Sequence, residues 1–208
     1  MSHPSSGIAA DYSAHSHAPH GHSQESFLWK YIFSQDHKVI AIQYGVTSLL
    51  FLLFGFTLMM MMRWQLAYPE QPMPAVRFAL PFGLVGLIVL AFSRLRPGIH
   101  MVVGMAILLL GSLVYWLATN EAMMPGGIML PEFYNSLGAM HGTIMVFFVV
   151  VPLAVGAFGN YVVPLQIGAP DMAFPKLNMI SYWVYFAGGV AMLASFFVPG
   201  GAANSGWT

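Results

Sequence analysis

The chain has 208 residues, of which 58% are hydrophobic and only 7% charged, with a mean hydropathy of +0.70. That composition excludes a soluble domain and marks an integral membrane protein. Seven basic and seven acidic residues cancel, which argues against nucleic acid as a partner, and the lack of cysteine excludes disulfides, iron–sulfur clusters and thiolate ligation within the chain.

Residues 1–26 are rich in Ser, Ala, Pro and His and have no apolar period, so they read as a disordered tail. Its His3, His15, His17, His20 and His22 suit a solvated segment better than a metal site. The first apolar run begins too late, and is too long, for a signal peptide, and no small-residue cleavage site accompanies it. Five apolar stretches follow, at about 39–62, 76–93, 98–118, 134–163 and 176–199, each near the roughly 20 residues that a bilayer requires. They predict an all-α, polytopic transmembrane bundle of about five spans. Pro81 and several glycines interrupt the second, but membrane helices tolerate both. With the N-terminus cytoplasmic, Lys30, Lys38, Arg94, Arg96 and Lys176 lie inside and only Arg63 and Arg77 outside, as the positive-inside rule requires.

This topology gives the polar residues a depth. His141, in "LGAMHGTIMVFF", lies seven residues after Tyr134, about 10 Å below the outer end of its helix at the α-helical rise. Asn160 is nineteen residues further, roughly 28 Å deeper by the same rise. Asp171 falls in the inner loop "QIGAPDMAFPKLN", and Arg63 closes the first span at the level of His141. An imidazole in hydrocarbon is costly, and ionisable residues within spans are functional by default. Gly138 and Gly142 leave backbone uncovered for a flat ligand, or else form a small-residue helix contact. The residues alone leave open whether His141 is a haem or metal ligand or a hydrogen-bonded structural group. A low-spin haem would require a second histidine at the same level, since each Fe–N bond is only about 2 Å. His100, the other histidine within a span, lies near the inner face, so such a partner is expected outside this chain.

The stretch "LGAMHGTIMVFFVVVPLAVGAFGNYVVPLQIGAPDMAFPKLNMISYW" resembles the second helix and following loop of subunit I of the haem–copper oxidases. The "DHK" before the first span, Arg63 at its end and the closing "GGAANSGWT" are similar to the same subunit. The resemblance covers residues 29–69 and 129–208, with 26 residues from His37 to Arg63, 19 from His141 to Asn160, 11 to Asp171 and 7 more to Asn178. It implies the first three helices of the subunit I fold within residues 27–208, with 76–118 as an inserted transmembrane hairpin of unknown role.

The resemblance implies specific roles. His141 would be one axial ligand of a low-spin haem, taken as haem A. Arg63, Tyr134 and Trp207 would lie at the haem periphery; the plain alternatives are a snorkelling interface cation for Arg63 and an aromatic belt for Tyr134 and Trp207. Asp171 would be the entrance of the D-channel for proton uptake, with Asn160 and Asn178 guiding water just inside; the plain alternative for Asp171 is a loop or helix cap. The inner Asp and Asn set resembles that of A-type cytochrome c oxidases. Ubiquinol oxidases carry Arg, Asp, His and Gln around the first two helices, where this chain has Phe54, Met59, Phe133 and Ser136. The implied function is transfer of electrons from cytochrome c to oxygen, forming water, coupled to proton pumping, with oxidase subunits II and III as partners. The family continues past "GWT" with the second axial histidine, the high-spin haem and the copper ligands, so the chain is expected to be an N-terminal piece, inactive alone. The long His-rich tail and the hairpin favour a bacterial cytoplasmic membrane. Alternatives are a ubiquinol oxidase subunit I or a non-catalytic membrane scaffold related to it.

Overall fold

In hydrocarbon, a spanning segment must satisfy its own backbone N–H and C=O groups, which leaves helices for a chain with these apolar runs. The computed structural model describes residues 31–93, 98–198 and 201–204, and its helices are α1 (His37–Ala67), α2 (Ala75–Ser93), α3 (Ile99–Thr119), α4 (Pro131–Thr143), α5 (Asn160–Ile167) and α6 (Pro175–Ala194). The tail at 1–26, Lys30, Arg94, Arg96 and Trp207 lie outside the described residues. Between α4 and α5 the helix does not stop. Ile144–Val150 and Pro152–Gly159 wind in wide π-type turns, with the Val151 N–H reaching back five residues to the Val146 carbonyl, so Pro131–Ile167 is one rod of 37 residues. Counting the rod once, the described residues hold five helices long and apolar enough to cross a membrane, and no strand. The protein is an all-α membrane bundle, as its composition predicts.

Helix boundaries follow local chemistry. The Asp36 carboxylate caps α1 by accepting from Lys38 N–H at 2.7 Å. Pro131 and Pro175 open α4 and α6, where a missing N–H has no intrahelical use. The rod ends at Gly168, whose φ of 69° is the left-handed conformation that glycine accepts without a Cβ penalty.

α1 is the central element, with twelve buried residues against two in α2. Lipid is as apolar as leucine, so close packing rather than water exclusion holds membrane helices together. α1 and the rod run antiparallel and touch where side chains are smallest. A Cβ on Gly55 would lie 3.1 Å from Ile144 and Met145; one on Gly156 would lie 2.6 Å from the Tyr44 ring. α6 meets α1 through hydroxyl pairs, Tyr44 with Ser181 at 3.0 Å, Thr47 with Tyr182 at 3.1 Å and Ser48 with Tyr185 at 3.3 Å. The main core joins Phe54, Leu58 and Met61 of α1 to Val114 and Leu117 of α3 and to Leu137 and Ile144 of the rod.

α2 and α3 form a hairpin that crosses at Gly86 and Gly104, where a Cβ on either would come within 3.3 Å of the other's carbonyl oxygen. The strands of chain leading into and out of the hairpin lie against each other. Met73 N–H donates to the Gly127 carbonyl at 2.8 Å, and a Cβ on Gly127 would be 2.9 Å from Pro72. Gly104→Leu would force its side chain into Leu90 as well, 2.7 Å from the Cβ position. Overpacking of this kind costs about 1–3 kcal/mol. The variant is expected to melt several degrees lower in detergent than the parent, and Gly104→Ala by less.

Candidate functional site

The site residues divide between the middle of the bundle and one end of it. His141 lies ten residues into the rod from Pro131, roughly 15 Å along at the α-helical rise, deeper than the sequence suggested because the helix starts before Tyr134. Its Nδ1 is 2.8 Å from the Gly55 carbonyl oxygen across the α1 interface. A carbonyl only accepts, so Nδ1 carries the proton and donates, and in the neutral imidazole Nε2 is then the nitrogen with the lone pair. Nε2 makes no hydrogen bond among the described residues. This is the arrangement a metal-ligating histidine takes, in which a hydrogen bond from the other ring nitrogen fixes tautomer and ring orientation. The flanking glycines differ. A Cβ on Gly138 would meet Met62 at 3.3 Å, whereas one on Gly142 would meet nothing within 4 Å. Gly138 therefore serves the helix contact, and Gly142 faces open space.

Arg63 is not level with His141. It stands eight residues beyond Gly55 on α1, roughly 12 Å nearer the far end of that helix, because α1 continues to Ala67 rather than stopping at the arginine. Arg63 is exposed and makes no ion pair among the described residues. Tyr134 is half-buried against the main core. Phe54 and Phe133 are buried core residues, and Ser136 donates its hydroxyl to the Ala202 carbonyl at 3.1 Å.

At the opposite end, the loop before α6 brings Asp171 against the start of α1. His37 Nδ1 lies 3.2 Å from Asp171 Oδ1, with the histidine side chain 3% exposed and the aspartate 41%. The same carboxylate oxygen accepts from Met172 N–H at 2.7 Å, so Asp171 also orders its loop, while α6 has no side-chain cap. His37 Nε2 is buried without a partner among the described residues. Asn160, at the end of the wide turns, donates from Nδ2 to Asn178 Oδ1 at 3.1 Å, and Asn178 Nδ2 is buried and unpartnered among those residues. The two asparagines meet directly, but no hydrogen bond joins either to Asp171.

A cavity of about 260 Å³ opens beside the asparagines, with Tyr44, Asn160, Asn178, Ser181 and Tyr185 supplying its polar lining. At about 30 Å³ per water it has room for several. Ser181 donates to the Asn178 carbonyl at 2.7 Å and sits 3.0 Å from the Tyr44 hydroxyl, which continues the polar path into the bundle. The sequence reading did not find His37, Tyr44 or Ser181 as site residues. His37 was visible only within the "DHK" motif, and Tyr44 and Ser181 sit in apolar helices with nothing local to mark them. Nineteen residues separate His141 from Asn160, but fifteen of them lie in wide turns that advance less per residue, so the depth between them is below 28 Å. Among the described residues no group of three or more His, Asp or Glu side chains is arranged to hold a metal ion, and His100 is exposed in the first turn of α3.

Comparison with known proteins matches residues 96–208 to the family described as cytochrome c and quinol oxidase polypeptide I. The chain is 47% identical over 110 residues, 52% of its length, to cytochrome c oxidase subunit 1 of Corynebacterium efficiens, of which it covers 19%. It is 34% identical over 209 residues to cytochrome c oxidase subunit 1 of Cereibacter sphaeroides, covering 95% of this chain and 29% of that one. An alternative cytochrome c oxidase subunit 1 of Bradyrhizobium diazoefficiens is 33% identical over 88% of the chain and 22% of the relative. The chain thus spans 19% to 29% of the length of these relatives.

Proposed function

The chain belongs to the cytochrome c and quinol oxidase polypeptide I family, and we propose that it supplies one axial ligand of a low-spin haem and the proton entrance of a terminal respiratory oxidase. The observation that carries this reading is the His141 ring, with Nδ1–H held by the Gly55 carbonyl and Nε2 without a hydrogen-bond partner among the described residues. Bound there, haem A would supply one-electron transfer. His141 orients its ring and keeps the ligating nitrogen unprotonated; Arg63 and Tyr134 stand on the side of the bundle away from Asp171, where the polar edge of such a group would lie. Trp207 is assigned to the same edge by resemblance. By resemblance, the second axial ligand, the high-spin haem and the copper would be held by parts of the oxidase outside residues 1–208.

Asp171 is the proton collector. Its half-exposed carboxylate exchanges with bulk water, and the buried His37 holds it at the bundle wall. Amides transmit hydrogen bonds without trapping charge, which suits Asn160 and Asn178 to guide water from the mouth toward Ser181 and Tyr44. With Asp171 as the mouth for proton uptake, the N-terminus of α1 would lie on the cytoplasmic side of a bacterial membrane. The donor is cytochrome c, and oxygen is the acceptor, with proton pumping coupled to the transfer and subunits II and III as partners. Phe54 and Phe133 are packed core residues where quinol oxidases carry polar groups, which supports cytochrome c. The adjoining ends of the hairpin support its reading as an insertion between the first and second family helices.

Oxygen uptake by the purified full-length protein tests the proposal. Reduced cytochrome c is expected to drive it and ubiquinol is not; uptake with ubiquinol alone would make it a quinol oxidase, and no haem with no uptake would leave a scaffold. Gly55→Val should push Ile144 and Met145 away and lengthen the His141 bond. Loss of such an outer-shell partner costs about 10–100-fold in metal affinity, so haem retention on dilution is expected to fall by about tenfold or more.

A further inference from the structure

We infer that Tyr185 is a positioning residue that holds the wide-turn stretch of the rod in register between His141 and Asn160. Pro152 has no N–H, so the Phe148 carbonyl, four residues earlier, lacks its α-type donor. The Tyr185 hydroxyl donates from α6 to that carbonyl at 2.9 Å, and the Ser48 hydroxyl of α1 lies 3.3 Å from the Tyr185 hydroxyl oxygen. With its proton committed to the carbonyl, Tyr185 accepts from Ser48. Three helices are therefore joined through one hydroxyl. The Phe148 ring lies 5.1 Å from Phe51 and 5.7 Å from Tyr185, and Gly189 clears the space Phe51 occupies.

The register argument comes from matched contacts. Gly55 faces Ile144 and Met145, and Gly45 faces Ala157. Between these contacts α1 advances ten residues while the rod advances twelve or thirteen. In ordinary α-turns the rod would overshoot α1 by roughly 3–4.5 Å at 1.5 Å per residue. Turns that reach five residues instead of four absorb the surplus. They let His141 meet Gly55 and Asn160 meet Asn178 at once. The bond from Tyr185 falls four residues before Pro152, where one wide-turn stretch passes into the next, and Tyr185 also lines the cavity at the asparagines.

The functional consequence rests on the roles proposed for His141 and Asn160, while the geometric claim does not. Hydrogen exchange of backbone amides 149–159 in the purified full-length protein separates the two. Tyr185→Phe keeps the ring against Phe148 and removes only the hydroxyl, and is expected to accelerate exchange there by about tenfold. Thr47→Val breaks the neighbouring hydroxyl pair with Tyr182 and is expected to leave these amides at parental rates. Where the parent carries a low-spin haem, Tyr185→Phe should also displace its absorption band. Parental exchange in Tyr185→Phe, or equal acceleration in Thr47→Val, would overturn the inference. Accelerated exchange in a protein that binds no haem would uphold the positioning role and sink the haem reading.

Discussion

Replacing His141 with Ala in the full-length protein is expected to abolish the low-spin haem band and reduce oxygen uptake by at least about tenfold. Helix packing should survive, because His141 is only half-buried and its single hydrogen bond goes to a backbone carbonyl that retains its own place in α1. Glycine at position 141 would leave a gap the size of the lost imidazole. His141→Gly with added imidazole is therefore expected to restore part of the band. A structural histidine would behave in the opposite way: the variant would lose thermal stability and keep its bis-histidine spectrum.

Asp171→Asn is the second large effect. Asparagine preserves the shape and the hydrogen bond from Met172 N–H but removes the charge that pairs with His37 and collects protons. Proton uptake is expected to fall by about a hundredfold, the lower end of what a positioned proton-transfer group contributes. Low-spin haem reduction should stay at the parental rate, since Asp171 and His141 occupy different parts of the bundle. Asp171→Glu keeps the charge and should recover much of the uptake. If Asp171 served only its loop, Asp171→Asn would keep proton-to-electron stoichiometry and turnover unchanged.

The spans were legible because lipid imposes both length and composition: each apolar run near twenty residues became a helix, and even Pro81 left α2 intact. The winding within a span was not. Pro152 and the apolar run around it look alike in α and in wide turns, and only the facing residues of α1 reveal that the rod carries two or three residues too many. The same blindness put Arg63 level with His141, since a sequence shows which residue ends an apolar run and not which residues meet across an interface. Spacing along one chain segment did bring Asn160 and Asn178 together, because both lie at the same end of adjacent spans. His37 and Asp171 are 134 residues apart, and Tyr44 and Ser181 are 137 apart, so no local pattern announces either pair.

Pulsed electron paramagnetic resonance of the oxidised full-length protein, with histidines labelled by nitrogen-15 at Nε2, reports directly on the proposed ligand. Strong coupling of a low-spin ferric haem to two labelled nitrogens, one of them lost in His141→Gly, is the predicted result. A haem signal whose couplings are unchanged in His141→Gly, or no haem signal in the parent, would contradict the assignment of His141 as its ligand.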